Sequence, residues 1–173
     1  AGDLTVASAG TATCIASDGL GASLLFEGDH VSLDTQVKAA SGLVQVKAEN
    51  GIALGEHAVL DVSGRVMNFA GDTVVSDAGG ISLVTTHGDI ASHQDAVIDV
   101  SAPAVTAASG SLTLSAANGA VDLQSAPVVN RFAQSTGGSV FVSPEHNVWP
   151  FNGEYWRDEL GYYRQEVTYK CGR

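Results

Sequence analysis

Short runs of alternating apolar and polar residues recur along the chain, each bounded by Gly, Asn or Asp. They include Asp3-Leu4-Thr5-Val6, Gly42-Leu43-Val44-Gln45-Val46-Lys47-Ala48, Gly80-Ile81-Ser82-Leu83-Val84 and Gly110-Ser111-Leu112-Thr113-Leu114-Ser115. A period of two puts successive side chains on opposite faces, so these runs predict half-buried β-strands. Before residue 150, helix-forming residues spaced at three and four are missing, while Thr, Val, Ser and Gly abound. The pattern predicts an all-β chain.

The strands also recur as a set. Residues 42–64 read GLVQVKAENGIALGEHAVLDVSG and residues 80–102 read GISLVTTHGDIASHQDAVIDVSA, so strand, Gly-centred turn, second strand and V-(L/I)-D-V-S follow in the same order. Residues 110–129 repeat the first two elements, with the same nine-residue step from Gly110 to Gly119 as from Gly42 to Gly51. Residues 65–78 interrupt this rhythm, which predicts an extra strand or a loop pushed out from one face. A unit of about 20 residues cannot bury an apolar face alone, but copies stacked one strand spacing (~4.8 Å) apart can. The economical architecture is a parallel β-solenoid with small or aliphatic side chains inside. A sandwich or barrel is the competing architecture, and it gives no reason for strand sequences to recur in register.

The segments AVLDVSG (58–64) and AVIDVSA (96–102), each preceded by alternating strand and Gly turns, resemble a known repeat. It is the repeat region of filamentous-haemagglutinin-like exoproteins, adhesins that Gram-negative bacteria export by two-partner secretion. The resemblance covers residues 1 to about 129. It implies a right-handed parallel β-helix acting as a cell-surface stalk, secreted or held at the bacterial surface. Implied partners are a glycan or protein on a host or neighbouring cell, and an outer-membrane secretion partner for the parent chain. The Asn-Pro-Asn motifs of that family's secretion domain are absent and the chain starts inside a strand pattern, so an internal or C-terminal fragment is expected.

Residues 144–173 break the pattern, and the sequence divides into β-solenoid repeats over 1–143 and an aromatic-rich segment over 144–173. Seven of the 11 aromatic residues fall in that segment, which is nearly charge-balanced while the remainder is acidic. Alternation from Tyr162 to Lys170 predicts a strand paired with Glu154-Tyr155-Trp156-Arg157 across a turn at Glu159-Leu160-Gly161. Trp149, Tyr155, Trp156, Tyr162 and Tyr163 are the candidate binding residues, because Trp and Tyr combine large apolar area with a polar handle. The competing role is a cap that covers the strand edges of the last repeat.

Charge narrows the partners. With 8 Lys and Arg against 19 Asp and Glu the formal charge is −11, which disfavours nucleic acid and anionic lipid. No apolar run approaches the ~18 residues of a membrane span, so membrane insertion is not expected. Cys14 and Cys171 are the only cysteines, without metal-ligand spacing. A disulfide between them would close a long loop and suit an exported protein; two free thiols suit the same sequence.

Candidate chemistry is sparse. Asp61 and Asp99 hold the same place in successive repeats, so stacking would set them one strand spacing apart, close enough to share a proton or bind Ca²⁺. No Arg or Lys lies beside them in either repeat segment, so outward ladder residues are the favoured reading. His30, His57, His87, His93 and His146 read as solvated turn residues. Nucleophile-elbow, phosphate-loop, dinucleotide and zincin motifs are absent. The expectation is a non-catalytic protein with no cofactor; the alternative is a secreted β-helix lyase or hydrolase acting on polysaccharide.

Overall fold

A computed structural model describes residues 2–8, 14–16, 19–129, 136–143, 147–148, 156–157 and 163–165, with only the backbone for 14–16, 136, 147–148, 156–157 and 163–165. Every regular element among them is a strand. The chain lays these strands down in successive rounds. β1 (Leu4–Ala7) and β2 (Cys14–Ala16) form the first, and β3 (Ser23–Asp34) with β4 (Gln36–Lys38) the second. β5 (Leu43–Leu54) and β6 (Val59–Asp61) follow, then a hairpin of β7 (Val66–Phe69) and β8 (Asp72–Val75). The next rounds are β9 (Gly80–Thr85), β10 (Ile90–Ser92) and β11 (Val97–Asp99), then β12 (Ala108–Ala116) and β13 (Val121–Leu123). β14 (Thr136–Ser143), β15 (Asn147–Val148), β16 (Trp156–Arg157) and β17 (Tyr163–Gln165) complete the order.

Three parallel ladders organise the rounds. The first joins residues 23–28 of β3 and 43–48 of β5 to β9, β12 and β14. The second joins β1, the ends of β3 and β5, β10, β13 and β15. The third joins β2, β4, β6 and β11, continued by a bridge from Asp99 to Val128. The chain visits the ladders in the same order each time.

Alternation along each strand sends every second side chain inward, and the pairing registers stack these residues into columns. Leu24, Val44, Ile81, Leu112 and Val140 form one column; Val31, Ile52, Ile90 and Val121 another; Val37, Leu60 and Ile98 a third. Apart from Leu24 at the head of the first, all of these are buried, none more than 2% exposed. Each such aliphatic side chain contributes about 1.5–3 kcal/mol by leaving water, which no single round could collect alone.

The repeat and the register differ by one residue. Reading Gly42 against Gly80 aligns Leu43 with Ile81, whereas the structure pairs Val44 with Ile81 and leaves Leu43 outward, 39% exposed. From Ile52↔Ile90 onward the sequence alignment holds. The corner after β9 absorbs the difference, with Thr86–Asp89 between Thr85 and Ile90 where only Glu49–Gly51 separate Ala48 from Ile52. Gly79, not Gly80, is the counterpart of Gly42: a Cβ on Gly79 would strike the Gly42 carbonyl, and one on Gly110 the Gly79 carbonyl. Close backbone approach at this corner requires glycine.

The interruption at residues 65–78 is a hairpin outside the ladders. β7 and β8 pair antiparallel, Val66↔Val75 to Phe69↔Asp72, around Ala70-Gly71, whose φ values of 48° and 102° are those of a tight two-residue turn. Ser76 closes its base, donating its N–H to the Arg65 carbonyl at 2.9 Å, while Arg65 N–H reaches Ser76 Oγ at 2.8 Å. At the far end of the first ladder, β17 pairs antiparallel with both β14 and β16.

Candidate functional surfaces

The Asp-Val-Ser segments end the third-ladder strands at a corner, where an Asp side chain can hold the backbone two residues on. Asp61 Oδ1 accepts the Ser63 N–H at 3.0 Å and its hydroxyl at 2.6 Å. Asp99 Oδ1 accepts the Ser101 N–H at 2.9 Å and its hydroxyl at 2.6 Å. Between them, Val62 and Val100 point inward and are 0% exposed. Each aspartate thus fixes the turn that aims a core valine.

Asp61 and Asp99 are register partners, one strand spacing apart. Asp99 is buried, 3% exposed, rather than a solvated ladder residue, and its hydrogen bonds offset the cost of that burial. A second difference from the sequence concerns cations. No cation lies beside Asp61 in AVLDVSG or beside Asp99 in AVIDVSA, yet Lys38 of the preceding round is the register partner of Asp61. The third ladder therefore carries the outward column Lys38, Asp61, Asp99. Gln36-Val37-Lys38 lacks the Asp-Val-Ser signature, so its equivalence is not readable from the repeat. Among the described residues no group of three or more His, Cys, Asp or Glu is arranged to hold a metal ion.

His30, His57 and His93 stay largely exposed, and each lies near a carboxylate. His30 lies in β3, not a turn, with Nδ1 at 3.1 Å from Asp3 Oδ1 of the round before. His57 donates its backbone N–H to Asp34 Oδ1 at 2.8 Å, with its ring 3.4 Å from the same carboxylate. His93 Nδ1 lies 3.4 Å from Asp95. The His57 backbone hydrogen bond, aided by its ring and by the charges of His57 and His93, holds the Asp34 carboxyl below its ordinary 3.8 against the opposing effect of burial. His87 is exposed, and His146 lies outside the described residues.

Among the aromatic candidates, Trp156 falls in β16 and Tyr163 in β17, paired antiparallel through Trp156↔Arg164 and Arg157↔Tyr163. Trp149, Tyr155 and Tyr162 lie outside the described residues, as does Cys171; Cys14 opens β2.

No family model, curated protein or solved structure matches the chain. Geometry alone adds one surface that the sequence did not single out: the β7–β8 hairpin exposes Val66, Phe69 and Val74 at 51%, 59% and 46%. Register places Val66 and Val75 on one face and Met67, Phe69 and Val74 on the other, so both faces present apolar area. The only advance signal was the break in the repeat.

Proposed function

We propose that the chain is a non-catalytic stalk segment of a secreted bacterial cell-surface exoprotein of the filamentous-haemagglutinin type, wound as a right-handed parallel β-helix. The observation that carries this reading is the fixed order in which the chain visits three parallel ladders, with aliphatic columns in register from round to round. In such a stack each round contacts only its neighbours, so length is extended by repetition without a larger core. That suits a rod that holds a binding element away from a cell. Contact with a glycan or protein of a host or neighbouring cell falls to the aromatic segment at residues 144–173, and export of the parent chain to an outer-membrane secretion partner.

The local chemistry of the aspartates favours structure over catalysis, because the Oδ1 atoms of Asp61 and Asp99 accept short bonds from Ser63 and Ser101. The polysaccharide-enzyme alternative draws its support from the Lys38–Asp61–Asp99 column. One experiment separates the two. Beads coated with the chain should adhere to cultured epithelial cells or to spots of a glycan array, and Trp156→Ala or Tyr155→Ala should weaken adhesion at least tenfold with folding unchanged. Release of reducing or unsaturated ends from a polysaccharide panel, abolished in an Asp61→Asn, Asp99→Asn double variant, would replace the stalk by the enzyme.

A further inference from the structure

Each round closes where the chain leaves the third ladder and returns to the first, and the connections at this corner stack in line. Gly21 N–H donates to the Ala40 carbonyl at 3.0 Å, the Ser41 hydroxyl to the Asp77 carbonyl at 2.6 Å, and Ala78 N–H to the Ala108 carbonyl at 2.9 Å. The β7–β8 hairpin therefore leaves the ladders between the connection holding Leu20 and the one holding Val105. Of the eight large apolar side chains exposed among the described residues, five lie at this corner: Leu20, Val66, Phe69, Val74 and Val105. Scattered singly they would need no account; gathered at one corner they mark a contact surface.

Charge is distributed the opposite way. Asp29, Glu49 and Asp89 lie at the corner between the first and second ladders, and Asp34, Glu56 and Asp95 at the corner between the second and third, with no Lys or Arg among the described residues of either. The hairpin corner holds Arg65 against Asp72 and Asp77. In a chain of charge −11, this is the corner at which a second acidic molecule meets the least repulsion.

The hairpin is also an incomplete sheet. Ser76 N–H donates to the Arg65 carbonyl, and alternation from that bonded pair turns the N–H and C=O groups of Val66, Asn68, Thr73 and Val75 away from the hairpin. Among the described residues β7 and β8 pair only with each other. A two-stranded ribbon is marginal in water, and further strands with a shared apolar face complete it. The β7 edge is the more apolar, since it carries exposed Val66 and Phe69 where β8 carries exposed Val74.

We propose that the β7 edge is an interface between two copies of this chain, paired antiparallel about a two-fold axis so that two hairpins form one four-stranded sheet. A two-fold axis makes the same edge meet itself. Val66 exchanges backbone hydrogen bonds with the partner's Asn68, Asn68 does so with the partner's Val66, and Met67 lies opposite the partner's Met67. The same register sets Phe69 opposite the partner's Arg65, an aromatic face against a cation, and brings the chains together at their least acidic corners. This pairing needs only the hairpin and its corner, and it goes beyond the stalk reading.

Sedimentation equilibrium should show the mass doubling between about 1 and 100 μM, the behaviour of a small interface. The Asn68 N–H faces outward, so Asn68→Pro removes a donor that only the second copy uses and should leave a monomer throughout. Thr73→Pro makes the same change on the β8 edge and should dimerise like the native chain. Both variants should keep the native urea midpoint at about 1 μM, where the chain is monomeric; should Asn68→Pro unfold the chain, cysteine trapping decides alone. With Cys14 and Cys171 replaced by Ser, Met67→Cys should form a disulfide between chains under mild oxidant, because directly opposed residues of a non-hydrogen-bonded pair lie about 4.5 Å apart. Val74→Cys, three strand spacings or about 14 Å from its mate, should not. A native monomer at about 100 μM would overturn the proposal, as would dimers that Asn68→Pro leaves intact or that Thr73→Pro abolishes. Absence of the Met67→Cys cross-link, or cross-linking of Val74→Cys, would overturn it too. A native monomer that floats with phosphatidylcholine vesicles unless Phe69 is replaced by Ala would give the hairpin to a membrane instead.

Discussion

At Asp99 a carboxylate 3% exposed is held by the N–H and hydroxyl of Ser101. Removing this buried acceptor takes away both hydrogen bonds it accepts from Ser101, so Asp99→Ala should cost about 1–3 kcal/mol, read as a shift in the denaturant midpoint. Asp99→Asn keeps an acceptor oxygen at the same place and should cost less than half as much. Equal losses would mean that charge, not hydrogen bonding, matters there. Asp34 makes a separate prediction about acid. Its pKa is lowered in the folded chain, so it contributes stability above the ordinary value of 3.8, and that contribution disappears as pH falls through the lowered folded value. The native chain should therefore lose stability more steeply than Asp34→Asn below about pH 4, and urea titrations from pH 5 to about pH 2 measure the difference. Parallel curves would remove Asp34 from the acid response.

Among the elements, the ladders were legible in the sequence because inward residues must be apolar at every round, and alternation survives degeneration of the repeat. Leu60, Val62, Ile98 and Val100 are inward as the pattern requires, all at 0–1% exposure. The register of β5 against β9 was not legible. Leu43 and Val44 are both apolar, and the Gly79-Gly80 doublet offers two equivalents of Gly42; backbone contact at the corner decides between them. Contacts between rounds were equally hidden, since Lys38 and Asp61, or Asp34 and His57, lie 23 positions apart and belong to segments with no shared motif. Two element-scale predictions follow from the corner and the hairpin. Gly110→Val should cost about 3 kcal/mol, because the Gly79 backbone cannot move without opening the ladder. Replacing Val66–Val75 by Asn-Gly, which spans the hydrogen-bonded pair Arg65 and Ser76, should change stability by no more than about 0.5 kcal/mol, since the hairpin's side chains lie largely outside the core. A large loss on thermal melting would show that the hairpin braces the ladders.

For the whole molecule, stacking rather than any one site is what the stalk reading depends on. The charge of −11 opposes compaction, and the columns of aliphatic side chains outweigh it only while each round lies directly on the next. Outward on the third ladder, Gln36, Val59 and Val97 occupy one column, with 36 paired to 59 and 59 to 97. Parallel neighbours lie about 4.8 Å apart, within reach of a disulfide, while residues two rounds apart are at about 9.6 Å, beyond it. The decisive measurement is disulfide trapping in a chain with Cys14 and Cys171 replaced by Ser. The pairs Gln36→Cys with Val59→Cys and Val59→Cys with Val97→Cys should cross-link within one chain under mild oxidant, and Gln36→Cys with Val97→Cys should not. Cross-linking of the 36–97 pair, or failure of both neighbouring pairs in a folded chain, would contradict the stack.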